Sequence, residues 1–350
     1  MTAVPETLLG LVQCYSPSGN EREAVNYLVD RMASLGFEDV FQDQAGNGVG
    51  TIGSGPKQLV LLGHIDTVPG EIPVRVEGET LFGRGTVDAK GPLAAFVDSV
   101  AQVGPMAGWQ FVVIGALDEE RESRGARYLV DRYSPDLAII GEPSCWDRVT
   151  LGYKGSLIVK VTVQRPVAHP AGGGESAPEA AIDIWRSIQS WVDDYNTGKA
   201  RVFDQVQASL RHMASEQGEF QGWASLVIGF RSPLELSPGI LGDHLTRITA
   251  PAELEILGQP IPAYRSEKNN PLVRAFLPAI RALGGEPRFV VKTGTADINI
   301  VAPTWNCPTV AYGPGDSRLD HTPQEGISLI EYTRSVEVLA GVLSRVCQPS

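Results

Sequence analysis

The chain has few cysteines and no arrangement of them that would indicate a disulfide framework or a cysteine-rich zinc site. Its four cysteines are scattered over 350 residues, and no two of them form a Cys-x-x-Cys pair. Disulfide-stapled secreted domains and zinc fingers both need clustered cysteines. We therefore expect a protein of a reducing compartment.

The sequence also lacks an excess of positive charge and any long apolar run. It has 29 Lys and Arg against 41 Asp and Glu, a formal net charge of −12 at pH 7. A nucleic-acid partner is not expected, because phosphate binding requires a basic face. No apolar run approaches the roughly 18 residues of a membrane span, and no basic residue precedes Arg22, as a signal peptide would require. We expect a cytoplasmic protein with no membrane partner.

What the sequence does contain is an alternation of short apolar runs with stretches of helical periodicity. These segments lie at 58–62, 92–103, 110–116, 124–132 and 137–140. Strands that alternate with helices favour an α/β layer with a mostly parallel central sheet. The predicted fold class is therefore α/β.

The pattern changes after Gly152, which indicates a second, inserted domain. Residues 157–163 alternate apolar and polar side chains, as expected of a strand with one solvated face. Ser176 and Glu179 then form a capping box at the start of an amphipathic helix. A chain of 350 residues is also long enough for two domains. We predict an α+β domain at 153–261, inserted into an α/β domain formed by 1–152 and 262–350.

Three local motifs are interpreted structurally. Asn20 with Glu23 predicts a capping box at the first long helix, and Thr322 with Glu325 predicts another at the last. Residues 48–53 match the dinucleotide-binding pattern G-x-G-x-x-G. They precede an apolar strand and open no helix, so the required context fails and we interpret them as a hairpin or loop.

One segment places an imidazole and a carboxylate at the end of an apolar run. His64 and Asp66 follow the run at 59–62 and are two residues apart, so in an extended strand they point to the same face. A His ring held by a carboxylate in this way is the usual arrangement of a metal ligand. By itself the pair could equally lie at a strand end without a function.

Further side chains of the same kind follow strand ends or turn glycines. They are Asp88, Glu119, Glu120, Glu142 and His321. The carboxyl ends of the strands in an α/β sheet are where ligands gather. We expect these residues to converge with His64, because metal binding explains all of them and no single structural role does.

Imidazole nitrogens and carboxylate oxygens are ligands of zinc, which takes about four donors per ion. Five protein ligands can serve two ions only if one carboxylate bridges them and water completes each site. We predict Asp88 as the bridge, with His64 and Glu142 on one ion and Glu120 and His321 on the other. Zinc is the expected metal, and cobalt or manganese would accept the same ligands.

Glu119 is the one carboxylate of this set that the assignment does not use as a metal ligand. Two metal ions close together generate hydroxide near neutral pH. Glu119 is then placed to take the proton of the water and pass it to a leaving amine. Asp66 is predicted to support catalysis by orienting His64.

Taken in order, these motifs resemble the M20 family of dinuclear zinc peptidases and amidases. They are Gly63-His64-x-Asp66, Gly83-Arg84-Gly85-x-x-Asp88-x-Lys90-Gly91, Glu119-Glu120, Gly141-Glu142-Pro143 and the late His321. The resemblance implies a zinc-peptidase-like catalytic domain that holds two divalent metal ions. It also implies that the inserted domain is a lid, through which subunits pair as a homodimer or a higher homo-oligomer.

The same resemblance implies several substrate-binding residues. His169 matches a lid histidine that binds the amide oxygen, and Arg231 resembles a lid arginine that grips a substrate carboxylate. Gly294 and Thr295 lie in a loop similar to the Gly-Thr loop of the family. Arg231 could equally be a residue at the edge of the core, and a tight turn would by itself explain Gly294.

Two stretches, 263–271 and 292–297, resemble a subgroup of the family that releases lysine or ornithine from an acidic amino-group carrier protein. This resemblance implies an amide hydrolase of lysine or arginine biosynthesis. The alternatives within the family are an acetylornithine deacetylase, a succinyl-diaminopimelate desuccinylase and a dipeptidase. A non-catalytic metal-binding protein is the alternative outside it, and the presence of Glu119 argues against that class.

Overall fold

The computed structural model describes residues 3–167 and 173–348, and these divide into two compact units. Unit 1 comprises the residues up to Gly152, residues 266–291 and the residues from Ala296 onward. Unit 2 comprises residues 153–265 together with 292–295. The inserted domain predicted from the sequence is 153–261.

The helices are α1 (Glu6–Gln13), α2 (Arg22–Ser34), α3 (Lys90–Val103), α4 (Arg124–Leu129), α5 (Ala177–Asn196), α6 (Pro238–Thr249), α7 (Pro271–Ala282), α8 (Ile298–Trp305) and α9 (Leu329–Val346). Helices α5 and α6 belong to unit 2, and the others belong to unit 1. Within the described ranges no helix combines the length and the apolarity that crossing a bilayer requires.

The strands are β1 (Val40–Gln42), β2 (Gly48–Ile52), β3 (Lys57–His64), β4 (Arg75–Glu77), β5 (Thr80–Phe82), β6 (Trp109–Ala116), β7 (Leu137–Gly141), β8 (Arg148–Tyr153), β9 (Gly155–Pro166), β10 (Gln207–Gln217), β11 (Gln221–Ser232), β12 (Glu253–Ile261), β13 (Tyr264–Arg265), β14 (Arg288–Lys292), β15 (Thr309–Tyr312) and β16 (Gly326–Ser328). Most of those in unit 1 form one large sheet. A smaller sheet of β16, β5 and β4 accompanies it.

The large sheet of unit 1 confirms the predicted α/β fold class. Its order is β1-β2-β6-β3-β7-β15-β8, with β14 beside β8. The four central strands, β6-β3-β7-β15, are parallel, and their flanking neighbours β2 and β8 are antiparallel. Residues 59–62 of β3 are fully buried. A continuous apolar run is typical of a parallel strand that is covered on both faces.

The glycine-rich stretch at 48–53 contributes a strand to this sheet. Strand β2 pairs with β1 in a hairpin and with β6 on its other side, so the prediction of a hairpin is correct and that of a loop is wrong. A Cβ atom on Gly50 would lie 2.6 Å from the Met32 sulfur of α2. The glycine therefore allows α2 to pack closely on the sheet.

Two of the three predicted capping boxes are wrong. Helix α2 begins at Arg22 with no side-chain cap. Helix α9 begins at Leu329, where Ser328 accepts a hydrogen bond from the Glu331 N–H, because the apolar periodicity starts only there. Glu325 is instead a buried residue of a preceding loop. In unit 2, the predicted box of Ser176 and Glu179 at the start of α5 is confirmed.

Unit 2 is built on an antiparallel sheet of order β10-β11-β9-β12. Alternate residues of β9 are buried, as the sequence predicts, and they form a core with apolar residues of α5 and α6. Strands β10 and β12 are the edges of this sheet, and most side chains of β10 are exposed. The lid and pairing roles of this unit remain predictions.

A buried cap at the start of α7 provides a test of the fold of unit 1. The Asn270 side chain accepts the Val273 N–H at 2.9 Å and donates to the Glu267 carbonyl at 2.7 Å. We expect Asn270→Ala to lower the free energy of unfolding by about 1 to 2 kcal/mol. Asn269→Ala, at the exposed neighbouring position, should change it by less than about 0.5 kcal/mol. Urea unfolding followed by circular dichroism measures both, and equal effects would contradict the capping role.

Candidate metal centre

The predicted ligands follow the central parallel strands of unit 1. His64 is the last residue of β3, Glu142 directly follows β7, and the chain leaving β6 reaches Glu119 and Glu120. His321 lies beyond β15, after a short 3-10 turn at Ser317–Leu319. Because parallel neighbours end at the same edge of a sheet, their following residues gather there.

His64 is buried, and its two ring nitrogens have different partners. Nδ1 lies 3.0 Å from the main-chain carbonyl oxygen of Asp66, and Nε2 lies 3.2 Å from Asp88 Oδ1. A hydrogen bond from Nδ1–H to the carbonyl leaves Nε2 as the nitrogen available to a metal ion. The sequence predicted that the Asp66 carboxylate would hold the ring. That carboxylate is farther away, at 3.5 Å from Nδ1.

Asp88 lies between the two histidines. Its Oδ2 is 3.0 Å from His321 Nε2, which is also 3.0 Å from Glu120 Oε1. Burial would raise the pKa of Asp88, but its contacts with both histidines lower it far below the usual range. Contacts with Asp88 and Glu120 raise the pKa of His321 to about 10. One carboxylate therefore contacts both imidazoles.

Glu119 and Glu120 lie in a loop, and the Asp66 carboxylate holds their main chain. The pair follows the end of β6 at Ala116, and the chain turns before it, since Asp118 has a left-handed φ of 66°. Asp66 Oδ1 accepts the Glu119 N–H at 3.0 Å, and Oδ2 accepts the Glu120 N–H at 3.1 Å. The Ser18 hydroxyl donates to the same Oδ2 at 2.6 Å. Asp66 thus fixes the loop that presents both glutamates.

Burial raises the pKa of Glu119 well above its ordinary value. The charge of His64 opposes this shift, and the carboxylates of Glu142, Asp297 and Glu120 reinforce it. A glutamate whose pKa is raised in this way is suited to carry a proton near neutral pH.

Asp297 is a buried carboxylate that has no role in the predicted site. It precedes α8, and among the residues that the structure describes neither of its side-chain oxygens has a hydrogen-bond partner of ordinary geometry. Burial raises its pKa to about 7, against the opposing charge of His64. It adds a further acidic group to this end of unit 1.

The donor set fits a divalent metal ion. The ligand atoms of His64, Asp88 and Glu120 lie within 4.8 Å of one another. The two imidazoles are surrounded by more carboxylates than they can neutralise, namely Asp66, Asp88, Glu119, Glu120, Glu142 and Asp297. Buried charges in proteins are paired or bind metal. Glu142 is buried and close enough to act on Glu119, although it lies outside the group of three.

Sequence reasoning also missed a buried ion pair beside these residues. Arg84 and Glu325 lie 2.8 Å apart, and both are buried. Arg84 was noted only as part of a motif, and Glu325 was assigned to a helix cap. The absence of apolar periodicity between His321 and Ser328 is the signal that could have corrected the second assignment.

Three of the four predicted substrate-binding residues belong to unit 2, and the fourth lies outside the described residues. Arg231 is on β11 and donates to the Thr295 hydroxyl at 3.0 Å. Gly294 is adjacent to Thr295, and a Cβ atom placed on it would meet no atom within 4 Å. A tight approach therefore does not explain that glycine. His169 falls outside the residues that the structure describes.

The fold and the donor set define a metallo-hydrolase that acts on amides. The family model of peptidase family M20/M25/M40 matches residues 60–345, and the chain belongs to this family. LysW-lysine hydrolase from Deinococcus radiodurans is 44% identical over 353 residues, covering 98% of this chain and 97% of its own length.

Solved structures share the fold at lower sequence identity. A tripeptidase from Staphylococcus aureus has a TM-score of 0.80 at 20% identity, covering 98% of this chain and 97% of its own. An M20 family metallo-carboxypeptidase from Sulfolobus solfataricus has a TM-score of 0.75 at 16% identity, covering 97% and 98%. At these identities the likeness establishes the fold alone.

The role of Asp66 can be tested through the amides that it accepts. Asp66→Asn replaces one carboxylate oxygen with an NH₂ group and removes the charge. Because hydrogen bonds to a charged group contribute about 1.5 to 3 kcal/mol, we expect hydrogen exchange at the Glu119 and Glu120 amides to accelerate about 10- to 100-fold. Ser18→Ala leaves the carboxylate in place and should change these rates by less than about threefold. Unchanged exchange in Asp66→Asn would exclude the anchoring role.

Proposed function

We propose that this protein hydrolyses the amide that links lysine to the terminal glutamate of an amino-group carrier protein. The observation that carries the proposal is the similarity to the LysW-lysine hydrolase over almost the whole of both chains. The cluster of His64, Asp88, Glu120 and His321 supplies the donors that such a reaction needs. The substrate would place the enzyme in lysine biosynthesis, or in arginine biosynthesis if ornithine is accepted.

In this proposal the five predicted ligands would hold two divalent metal ions, zinc first. Asp88 would be the ligand shared by both ions, since its two oxygens contact different histidines. His64 and Glu142 would serve one ion, and Glu120 and His321 would serve the other. When bound, the ions supply Lewis acidity toward the amide and acidify a water molecule.

Glu119 moves the proton. It accepts a proton from the water that adds to the amide carbon, and it delivers that proton to the amine nitrogen as the carbon–nitrogen bond breaks. The second proton of the water leaves the new carboxyl group and is taken up by the amine, so the products are the carboxylate of the carrier glutamate and the α-ammonium group of lysine. The raised pKa of Glu119 supports this role, because an efficient proton carrier has a pKa near the working pH.

Residues of unit 2 are proposed to bind the substrate. Arg231 would pair with the lysine carboxylate, since a guanidinium binds carboxylates through two parallel hydrogen bonds. Its contact with Thr295 supports a fixed orientation of that side chain, and the space around Gly294, where a Cβ atom would meet no atom within 4 Å, supports a substrate contact at that glycine. His169 would donate to the amide oxygen. The acidic carrier is the proposed partner, and we also propose a homodimer or higher homo-oligomer formed through unit 2 and a cytoplasmic location.

The role of Glu119 is tested by an isosteric substitution. Glu119→Gln cannot accept the proton, so we expect kcat to fall by about two to four orders of magnitude while the metal content stays unchanged. Glu122→Gln changes an exposed glutamate of the same loop and should retain activity. Elemental analysis and steady-state kinetics provide both readouts. Near-normal turnover by Glu119→Gln would remove this residue from the mechanism.

The choice of substrate requires a direct comparison. We expect the carrier protein charged with lysine to be hydrolysed with a kcat/KM at least about 100-fold above acetylornithine, succinyl-diaminopimelate and dipeptides. The advantage arises because binding energy from the carrier contributes to the transition state. The carrier charged with ornithine tests the narrower choice of amino acid. Faster turnover of any small amide would favour the corresponding alternative enzyme.

A further inference from the structure

The buried pair Arg84–Glu325 makes more contacts than an ion pair needs. Glu325 Oε2 accepts from Arg84 at 2.8 Å, while Oε1 accepts the N–H groups of Val87 and Asp88 at 2.9 and 3.1 Å. Glu325 is 1% exposed. Both oxygens of this carboxylate are thus used, and one of them holds the main chain of the predicted bridging ligand.

Arg84 also contacts the main chain at two further positions, one in the segment at Gly70 and one in the loop that contains Glu325. Its Nε donates to the Gly70 carbonyl at 2.8 Å, in the segment that follows His64 and Asp66. One terminal nitrogen donates to Glu325 and also to the Thr322 carbonyl at 3.2 Å. Thr322 is the neighbour of His321, whose φ of 61° is uncommon for a residue other than glycine. Arg84 therefore contacts both the segment that follows His64 and the segment that contains His321.

We propose that Arg84 and Glu325 are positioning residues that hold the His64, Asp88 and His321 segments in the geometry that binds metal. The inference rests on the proposed metal centre and adds two residues that do not touch the ions. A helix or strand would fix a ligand through its own ladder of hydrogen bonds, but Asp88 and His321 lie in loops and have no such ladder. The hydrogen bonds from Arg84 and Glu325 to the main chain of these loops take its place.

The chemistry of both side chains suits this task. A guanidinium presents several donors in a fixed planar fork, whereas an ammonium is a single point of charge. Through this fork Arg84 donates from Nε to the Gly70 carbonyl and from a terminal nitrogen to the Thr322 carbonyl and the carboxylate. The carboxylate in turn accepts from two adjacent N–H groups and still pairs with the guanidinium.

The decisive experiment measures zinc affinity by chelator competition, alongside thermal unfolding of the metal-free protein. In Glu325→Gln, one oxygen remains to accept the N–H groups, but the charge is lost. We expect the dissociation constant for zinc to rise about 10- to 100-fold, as found when residues that support metal ligands are replaced. For the proposed carrier substrate, kcat should fall while KM stays within about twofold. Arg84→Lys should show the same pattern.

Glu331→Gln is the matched control. Glu331 is a half-buried carboxylate that also accepts two loop N–H groups, those of Trp146 and Gly315, each at 3.1 Å. Its removal should lower the melting temperature and leave zinc affinity unchanged. Loss of stability and loss of affinity are thereby separated.

A double variant, Arg84→Met with Glu325→Gln, covers the case in which a single variant fails to fold. It removes both charges, and eliminating a whole buried pair is tolerated better than removing half of it. We expect it to regain stability but to keep the weakened zinc affinity. Affinity that recovers together with stability would overturn the inference, as would unchanged affinity in Glu325→Gln. If the unsubstituted protein binds no zinc, the proposed metal centre fails as well.

Discussion

Buried carboxylates repel one another unless cations lie among them, and unit 1 buries several around only two imidazole rings. Burial, reinforced by the charges of neighbouring carboxylates, raises the pKa of Glu119, Glu120 and Asp297, which means that the folded chain disfavours this much negative charge. Divalent cations neutralise such negative charge more completely than two histidines can. The charge repulsion within this acidic cluster is therefore the main constraint on the surrounding loops and on the side chains that hold them. It also accounts for the metal chemistry of the family.

The loops of this site depend on carboxylates that are not themselves predicted ligands. Asp66 holds the main chain of Glu119 and Glu120, and Glu325 holds that of Asp88. In both cases a carboxylate accepts hydrogen bonds from the N–H groups of two adjacent residues. Hydrogen bonds to charged groups are stronger than neutral ones, so two side chains substitute for the regular hydrogen bonding that loops lack.

Local patterns predicted the elements of the fold and failed at their ends. The apolar run of β3 and the alternation in β9 identified strands, because side-chain periodicity reports burial directly. The capping box predicted at Thr322 is wrong because a threonine followed three residues later by a glutamate also occurs in loops. The true cap, Ser328, is marked only by where the apolar periodicity of α9 begins. Similarly, Gly50 allows close packing against Met32, a residue distant along the chain.

The sequence by itself determined the α/β class, the family and the identity of the side chains able to bind metal, since residue chemistry and spacing carry that information. Only the tertiary structure decided how those side chains are held. It showed that the Asp66 carbonyl, and not its carboxylate, makes the shorter contact with His64. It also showed that Arg84 contacts both the segment at Gly70 and the loop that contains Thr322 and Glu325. The contacts of Arg84 with Thr322 and Glu325 join residues far apart along the chain, and the choice between the Asp66 carbonyl and carboxylate depends on the folded loop, so no local pattern encodes either.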